Sequence, residues 1–366
     1  MDPASLRAAF PVLEHTTYLN AGTCGPIPQA AHAAAVEAWR LGTRQGRSSA
    51  FYERVLELVP ALRERYAALL GAEPDDVALT AGTSDGCGRV LGGLALGGGD
   101  EILTADDEHP GLLGPLVAAR DRHGVTLRAV PLAEIADAVG PATRLVACSH
   151  VSWHSGAVAP VAALARVSAG GVPVLLDGAQ GSGAVPIDVA TLGATFYAGS
   201  GQKWLCGPVG CGMLWVDPAW GPRLAPQAPA YGSLQDASLG IGAVMVTTSR
   251  RYDAPSQDLA TLAAAAAAYD VLAGAGWAGV HARAATLAAR LADDLRGRGV
   301  DVVDRDDSTL VAWSTPGDDE AIAIRDRLAA EGIVIRHLPG TGRLRASVGA
   351  WNTEDDLARL VAAVAR

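Results

Sequence analysis

Of the 29 basic residues in this chain of 366, 28 are arginine and one, Lys203, is lysine. Arginine stays protonated at any biological pH and cannot act as a nucleophile. A desolvated lysine can shed its proton and form a Schiff base with a carbonyl. The lone lysine is either a chance survivor or a group kept for a task arginine cannot perform, and its surroundings favour the second reading. Asp177 closes the run VPVLLD, where a carboxylate is costly to bury unless it meets a cation or a protonated nitrogen. Gly82-Thr83-Ser84 follows DVALT. A helix starting there offers free N–H groups, hydroxyls and a dipole to a phosphate, although the Thr-Ser pair also reads as a plain helix cap. His109 follows EILTA and either stacks on a flat ring or sits in a loop. Phosphate cradle, buried acid, amine and stacking ring together describe a pocket for pyridoxal 5′-phosphate (PLP). The lysine would carry its aldehyde, and the carboxylate would keep the pyridine nitrogen protonated so that the ring accepts electrons.

These groups can meet only if the strands before them end at one edge. Short apolar runs at 76–80, 101–105, 126–132, 144–150, 172–177, 194–198 and 211–216 alternate with helical stretches such as GLLGPLVAARDRHG and PVAALARVSAGG. The pattern predicts an α/β fold with a large, mostly parallel seven-stranded sheet and ligands beyond the strands' carboxyl ends. Past residue 258 an alanine-rich helical block (259–297) leads into VDVVDR, STLVAWS, a helix at 319–331, IVIRHL, RLRASV and EDDLARLVAAVAR. This reads as a smaller C-terminal α+β domain. The expected division is an N-terminal segment, 1–20, packing with the small domain, a large PLP-binding domain at 21–258, and the small domain at 259–366.

Composition narrows the rest. The chain is 49% hydrophobic and 19% charged with net charge -10, so it is compact and globular, and without a basic run no nucleic acid is expected. MDPASLRAAFPVLEH lacks the layout of a signal peptide, and the run 259–280 is alanine-rich, broken by Asp270 and glycines. Neither a membrane span nor export is expected. Five cysteines, at 24, 87, 148, 206 and 211, form no CxxC pair, which disfavours a disulfide framework or zinc knuckle and points to the cytoplasm. Cys148, His150 and His154 would share one face of an extended strand, but the PLP pattern accounts for that region and no metal is expected.

LLDGAQGSGAVPIDV followed by FYAGSGQKWLCGPVGCGMLWV resembles the Asp-x-x-Gln and Ser-Gly-His-Lys-x-x-x-Gly-Pro pattern of fold-type I PLP-dependent enzymes in the class V aminotransferase group. That group holds cysteine desulfurases, isopenicillin N epimerase-like proteins and cysteine or cystine C–S lyases. The resemblance implies a homodimer in which Lys203 is the Schiff-base lysine and Asp177 pairs with the pyridine nitrogen. Gln180 would hydrogen-bond the ring hydroxyl, and His109 in EHPGL would stack on the ring. Gly82, Thr83, Ser84, Ser200 and Gln202 would hold the phosphate. Arg345 in RLRASV would clamp the substrate α-carboxylate, with Trp153 and Asn20 lining the substrate side. RRYDAPSQ is similar to the family's RFExGT, so Ser256 would reach a phosphate across the dimer interface.

Departures carry information too. Gln202 stands where the family has histidine, which keeps a donor but loses a titratable charge. Trp153, in SHVSWHSG, stands where desulfurases have asparagine and resembles the C–S lyase branch; it also reads as a hydrophobic lid. Desulfurases pass sulfur to a cysteine in their C-terminal part, and none follows Cys211 here. Cys206 and Cys211 read as packing residues around Gly207-Pro208, and Cys24 lies on the remaining active-site loop. The expected reaction is therefore C–S β-elimination on cysteine, cystine or a cysteine S-conjugate, giving pyruvate, ammonia and a thiol or persulfide. Transamination, epimerisation, decarboxylating deamination and non-catalytic PLP binding are the alternatives.

Overall fold

The computed structural model describes residues 1–364, so the last two residues of the predicted C-terminal helix and domain lie outside the described residues. The chain opens with helix α1 (Pro3–Ala8), strand β1 (Thr17–Tyr18) and helices α2 (Gln29–Gln45) and α3 (Ser49–Leu70). Seven strands follow: β2 (Val77–Thr80), β3 (Glu101–Ala105), β4 (Thr126–Val130), β5 (Thr143–Ser149), β6 (Val174–Asp177), β7 (Phe196–Ser200) and β8 (Gly212–Val216). Helices α4 (Thr83–Gly93), α5 (Pro110–His123), α6 (Val161–Ala169) and α7 (Val189–Leu192) connect them.

The seven strands form one sheet in the order β2-β8-β7-β6-β5-β3-β4. Only β8 runs antiparallel to its neighbours, and because it lies between β2 and β7 those two point the same way. The carboxyl ends of β2, β3, β5, β6 and β7 consequently open on one edge. Continuous burial along β2, β6, β7 and β8 reflects a sheet covered on both faces. Val90, Leu91, Leu112 and Leu116 of α4 and α5 cover one face. Leu62, Leu70, Leu164 and Leu262, from α3, α6 and the helix beginning at residue 259, cover the other.

The remaining elements are α8 (Leu259–Ala275), α9 (Trp277–Arg296), β9 (Leu310–Ser314), α10 (Asp318–Ala330), β10 (Ile333–Val334), β11 (Arg336–Leu338), β12 (Arg343–Ser347) and α11 (Glu354–Val364). A three-stranded antiparallel sheet, β11-β12-β9, carries the second core. The N-terminal segment joins that core: Thr17 pairs with Ile333, Leu19 is buried in the same cluster, and Arg7 Nη1 meets Asp356 Oδ2 at 2.7 Å.

Three details differ from the sequence reading. Helix α8 packs on the large sheet's core and, through Ala264 and Ala268, on Ala31 of α2, while α9 joins the second core from Leu287 onward. Alanine permits that close helix approach, and Gly276, at φ 84°, takes the backbone between α8 and α9 through an 80° bend. No single helix among the described residues is long and apolar enough to cross a membrane. VDVVDR forms only an isolated bridge, Val302 to Trp313, because its aspartates face solvent beside β9. IVIRHL divides at Ile335 so that one half pairs with β1 and the other with β12.

Candidate active site

At the shared carboxyl edge lies a cleft of about 360 Å³ lined by residues 81–85, His109, Gly111, Asp177, Ala179, Ser200, Gln202 and Lys203. Gly82 starts α4 with φ 154°, a conformation side chains disfavour, and no side chain caps the helix. Its first N–H groups therefore face the cleft without intrahelical partners. Thr83 Oγ1 and Ser200 Oγ are buried and have no hydrogen-bond partner. Each orphaned polar atom costs about 1–3 kcal/mol unless a ligand satisfies it. The plain-cap alternative for the Thr-Ser pair is not realised, and the arrangement fits a phosphate. Ser84 is exposed at the cleft rim, while the Asp85 carboxylate is engaged by Ala81 N (2.9 Å) and Arg89 Nε (3.0 Å).

Asp177, 4% exposed, ends β6 and accepts from Ala179 N at 2.9 Å. Burial raises its pKa and the Lys203 charge opposes that rise. For Lys203, burial disfavours the ammonium most, Asp177 favours it and Arg345 adds repulsion, leaving a pKa pushed down to about 8. About a tenth of the amine is thus neutral at pH 7, far more than for an ordinary lysine. Burial, followed by the charges of Lys203, Arg345 and Arg336, lowers His109 to about 4. Its Nδ1 accepts from Gly111 N at 2.9 Å, so the neutral ring carries its proton on Nε2. The ring stands edge-on to Trp153, centroids 5.0 Å apart at 87°, and the two form a corner at the cleft.

Arg345 is 2% exposed on β12. Its Nη1 donates to Trp153 O at 2.6 Å, while Nε is buried without a partner. Arg345 does not line the cleft itself, but the Nε/Nη2 side of its guanidinium is uncommitted and suits a carboxylate in the bidentate mode. Arg336 lies directly opposite Arg345 in the antiparallel register, and together with burial its charge pushes Arg345 down to about 9. Like charges in that register destabilise a sheet, so an anion between them is the arrangement that relieves the cost. A Cβ on Gly22 would lie 2.8 Å from Ser347 Oγ, 2.9 Å from Arg345 Nη2 and 3.0 Å from Gln180 Oε1. Gly22→Ala is expected to displace Arg345 and raise KM for amino acids about tenfold, roughly one lost hydrogen bond to a charged group. Unchanged KM in steady-state kinetics would show that Arg345 does not depend on this contact.

Several residues sit elsewhere than expected. Gln180 does not line the cleft: its Nε2 donates to Gly22 O (2.8 Å) and its Oε1 accepts from Trp204 Nε1 (3.0 Å). It braces the 20–28 loop against the lysine loop, with one amide hydrogen left over. Asn20 bridges Ser347 through its backbone and accepts from Thr23 Oγ1 at 2.8 Å, beside the Arg345 strand but outside the cleft lining. Ser256 is exposed on the loop before α8, outside the cleft of its own chain. Trp153 is half-buried and tied to Asp107 O through Nε1 at 2.9 Å. Cys148 is core, His150 meets the Tyr197 hydroxyl (3.1 Å) and His154 meets Arg343 (3.0 Å), so the three that share strand parity point to different neighbours. The sequence reading missed Gly22, Glu108 and Arg336. Glu108 adjoins His109 in EHPGL, which is a local signal; the other two depend on contacts across the chain.

The sequence profile of the family described as aminotransferase class-V matches residues 17–360. Isopenicillin N epimerase of Streptomyces clavuligerus is 30% identical, over 94% of this chain and 93% of that protein. Cysteine desulfurase CsdA of Escherichia coli is 29% identical, over 100% and 97%. Among solved structures, a C-DES variant with glycine covalently linked to its PLP cofactor superposes with TM-score 0.93 at 27% identity, covering 98% of each chain. The complex of the cystine C–S lyase C-DES with its product cysteine persulfide gives TM-score 0.91 at 28% identity, covering 97% of this chain and 99% of that one.

Proposed function

The chain belongs to the class V aminotransferase family, and from that premise we propose that it is a PLP-dependent C–S β-lyase acting on cysteine, cystine or a cysteine S-conjugate. Its products are pyruvate, ammonia and a thiol or persulfide. The observation that carries the reading is one cleft shared by Lys203, buried Asp177 and the partnerless hydroxyls of Thr83 and Ser200.

The α4 N-terminus, Thr83, Ser84, Ser200 and Gln202 would hold the phosphate, Asp177 the protonated pyridine nitrogen, and Lys203 the aldehyde. Bound PLP supplies an electron sink for the substrate α-carbon. Arg345 holds the α-carboxylate through its open Nε/Nη2 edge. Arg336 is placed to meet a second anionic group, which favours cystine or an anionic conjugate. Lys203 would take the substrate α-proton, a role suited to a pKa pushed down to about 8. His109 lines the cleft, and Trp153, edge-on to it, backs that wall and would help to exclude water from the reacting face. Elimination of sulfur needs no protein thiol, which matches a chain whose Cys87, Cys148, Cys206 and Cys211 are all buried.

A homodimer belongs to the same proposal. Trp39, Tyr52, Leu56 and Tyr231 expose large apolar surface on α2, α3 and the 231–245 segment, next to the Ser256 loop. Ser256 would complete the partner's phosphate site; a fully active monomer in sedimentation would remove that role. The N-terminal segment is proposed to move with the small domain, and the cytoplasm is the proposed location, a reducing compartment suiting free cysteines.

Incubation is expected to release pyruvate in equal amounts with persulfide from cystine, sulfide from cysteine and the corresponding thiol from each S-substituted cysteine. A keto acid with the cofactor left as its amine would establish transamination. Loss of optical rotation without pyruvate would establish epimerisation, the reaction named for the Streptomyces relative.

A further inference from the structure

Glu108 precedes His109 yet takes no part in the chemistry above. It is 4% exposed, and its carboxyl oxygens lie 2.7 Å from Ser149 N and 2.5 Å from Ser149 Oγ. Ser149 ends β5 directly opposite Asp177 in the parallel register, and the next residue, His150, donates its N–H to Asp177 O at 2.8 Å. Glu108 is thus tied to the end of the strand that pairs with Asp177, while the Asp177 carboxyl itself accepts from Ala179 N. The titratable groups facing Glu108 are Asp107 from its own loop, Asp177 from β6, Cys87 from α4 and Cys148 from β5, and none of them is a cation.

Two carboxylates enclosed together do not both ionise cheaply, and they titrate as a pair. Asp177 feels the Lys203 charge, whereas Glu108 has no cation to offset its burial. The cation beside Asp177 favours the negative charge there, and the lack of one beside Glu108 favours the proton on Glu108. Burial chiefly, then the Asp177 charge, pushes Glu108 up to about 8 despite its serine contacts. The flanking residues act on the same corner: Asp107 accepts from Ser152 Oγ at 2.6 Å and from Trp153 Nε1, and His109 caps α5.

We propose that Glu108 is a positioning residue which fixes the end of β5 against Asp177 and, by keeping its own proton, leaves Asp177 the sole anion of the pair facing the PLP pyridine. This rests on the PLP reading above. Its test compares wild type with Glu108→Gln and Glu108→Ala, each as purified apo-protein titrated with PLP and as holoenzyme titrated with base. Glutamine keeps the shape, the neutral charge, an acceptor for Ser149 N–H and a donor for Ser149 Oγ. The expected Kd for PLP stays within about threefold in Glu108→Gln and rises at least about tenfold in Glu108→Ala, one lost buried hydrogen bond or more. In wild type, Glu108 ionises as the pH passes about 8 and adds an anion that retains protons on neighbouring groups. The alkaline change of the visible PLP band is therefore expected at least about half a pH unit lower in Glu108→Gln than in wild type, a shift that a purely structural role would not produce. Glu108→Gln losing PLP as Glu108→Ala does, or superimposable band titrations of Glu108→Gln and wild type, would overturn the proposal while leaving the PLP reading intact. Wild-type protein that takes up no PLP would overturn both.

Discussion

In Lys203→Ala protein, borohydride is expected to fix no PLP in the cleft, and pyruvate release is expected to fall by at least about a hundredfold. The second figure follows from removing the one general base within the cleft, a contribution of roughly 10²–10⁴. The first follows from there being no other lysine in the sequence. The phosphate cradle of α4 and β7 is untouched, so reversible PLP binding is expected to persist and serves as the control for folding. The lowered pKa of Lys203 adds a pH signature. Only the neutral amine attacks an aldehyde, so covalent PLP uptake by wild-type apo-protein should rise about tenfold per pH unit below about 8 and level off above it. Stopped-flow absorbance measures that rate. A borohydride-stable adduct in Lys203→Ala, or uptake independent of pH between 6 and 8, would sink the assignment.

Arg345→Ala is expected to raise KM for amino acids about a hundredfold with the visible cofactor band unchanged in position. A charge-assisted contact of this kind contributes about 1.5–3 kcal/mol, and here both the Nε and Nη2 donors are uncommitted in a buried site. The substitution touches no atom of the phosphate cradle, which separates substrate binding from cofactor binding in the kinetics. Lysine should not rescue it, since a point charge cannot reproduce the planar fork. Arg345 also repels the charged forms of Lys203 and His109. Its removal lets both pKa values rise, and the covalent-uptake profile should move to higher pH in the variant. Equal losses in PLP affinity and KM would argue that Arg345 holds the cleft together and does not bind substrate.

The groups that sequence reading placed at the cleft share a feature. Gly82, Thr83, Ser84, His109, Asp177, Ser200 and Lys203 all lie within a few residues of the end of a strand. Once a run of apolar residues is read as a buried strand of a mostly parallel sheet, parallelism brings those ends to one edge without further information. The lone lysine was legible from composition, and Arg345 from its motif. The seven strands were legible for the same reason: each is a short apolar run set off by turns and helices.

Other features have no local signal. That Arg336 faces Arg345 depends on the register of two short strands, and a one-residue slip would turn one of them to the other face. That Gly22 lies against Arg345, and that Gln180 spends its amide nitrogen on Gly22, are contacts between segments more than 150 residues apart. Helix α8 was read with the small domain because composition changes at its start, yet its alanines suit the close surface of α2. Glu108 shows the division most plainly: its place beside His109 is written in the chain, but its charge state depends on sharing a dry interior with Asp177. Covalent order and periodicity are local properties, whereas register, desolvation and the coupling of buried charges exist only after distant segments have excluded water from between them.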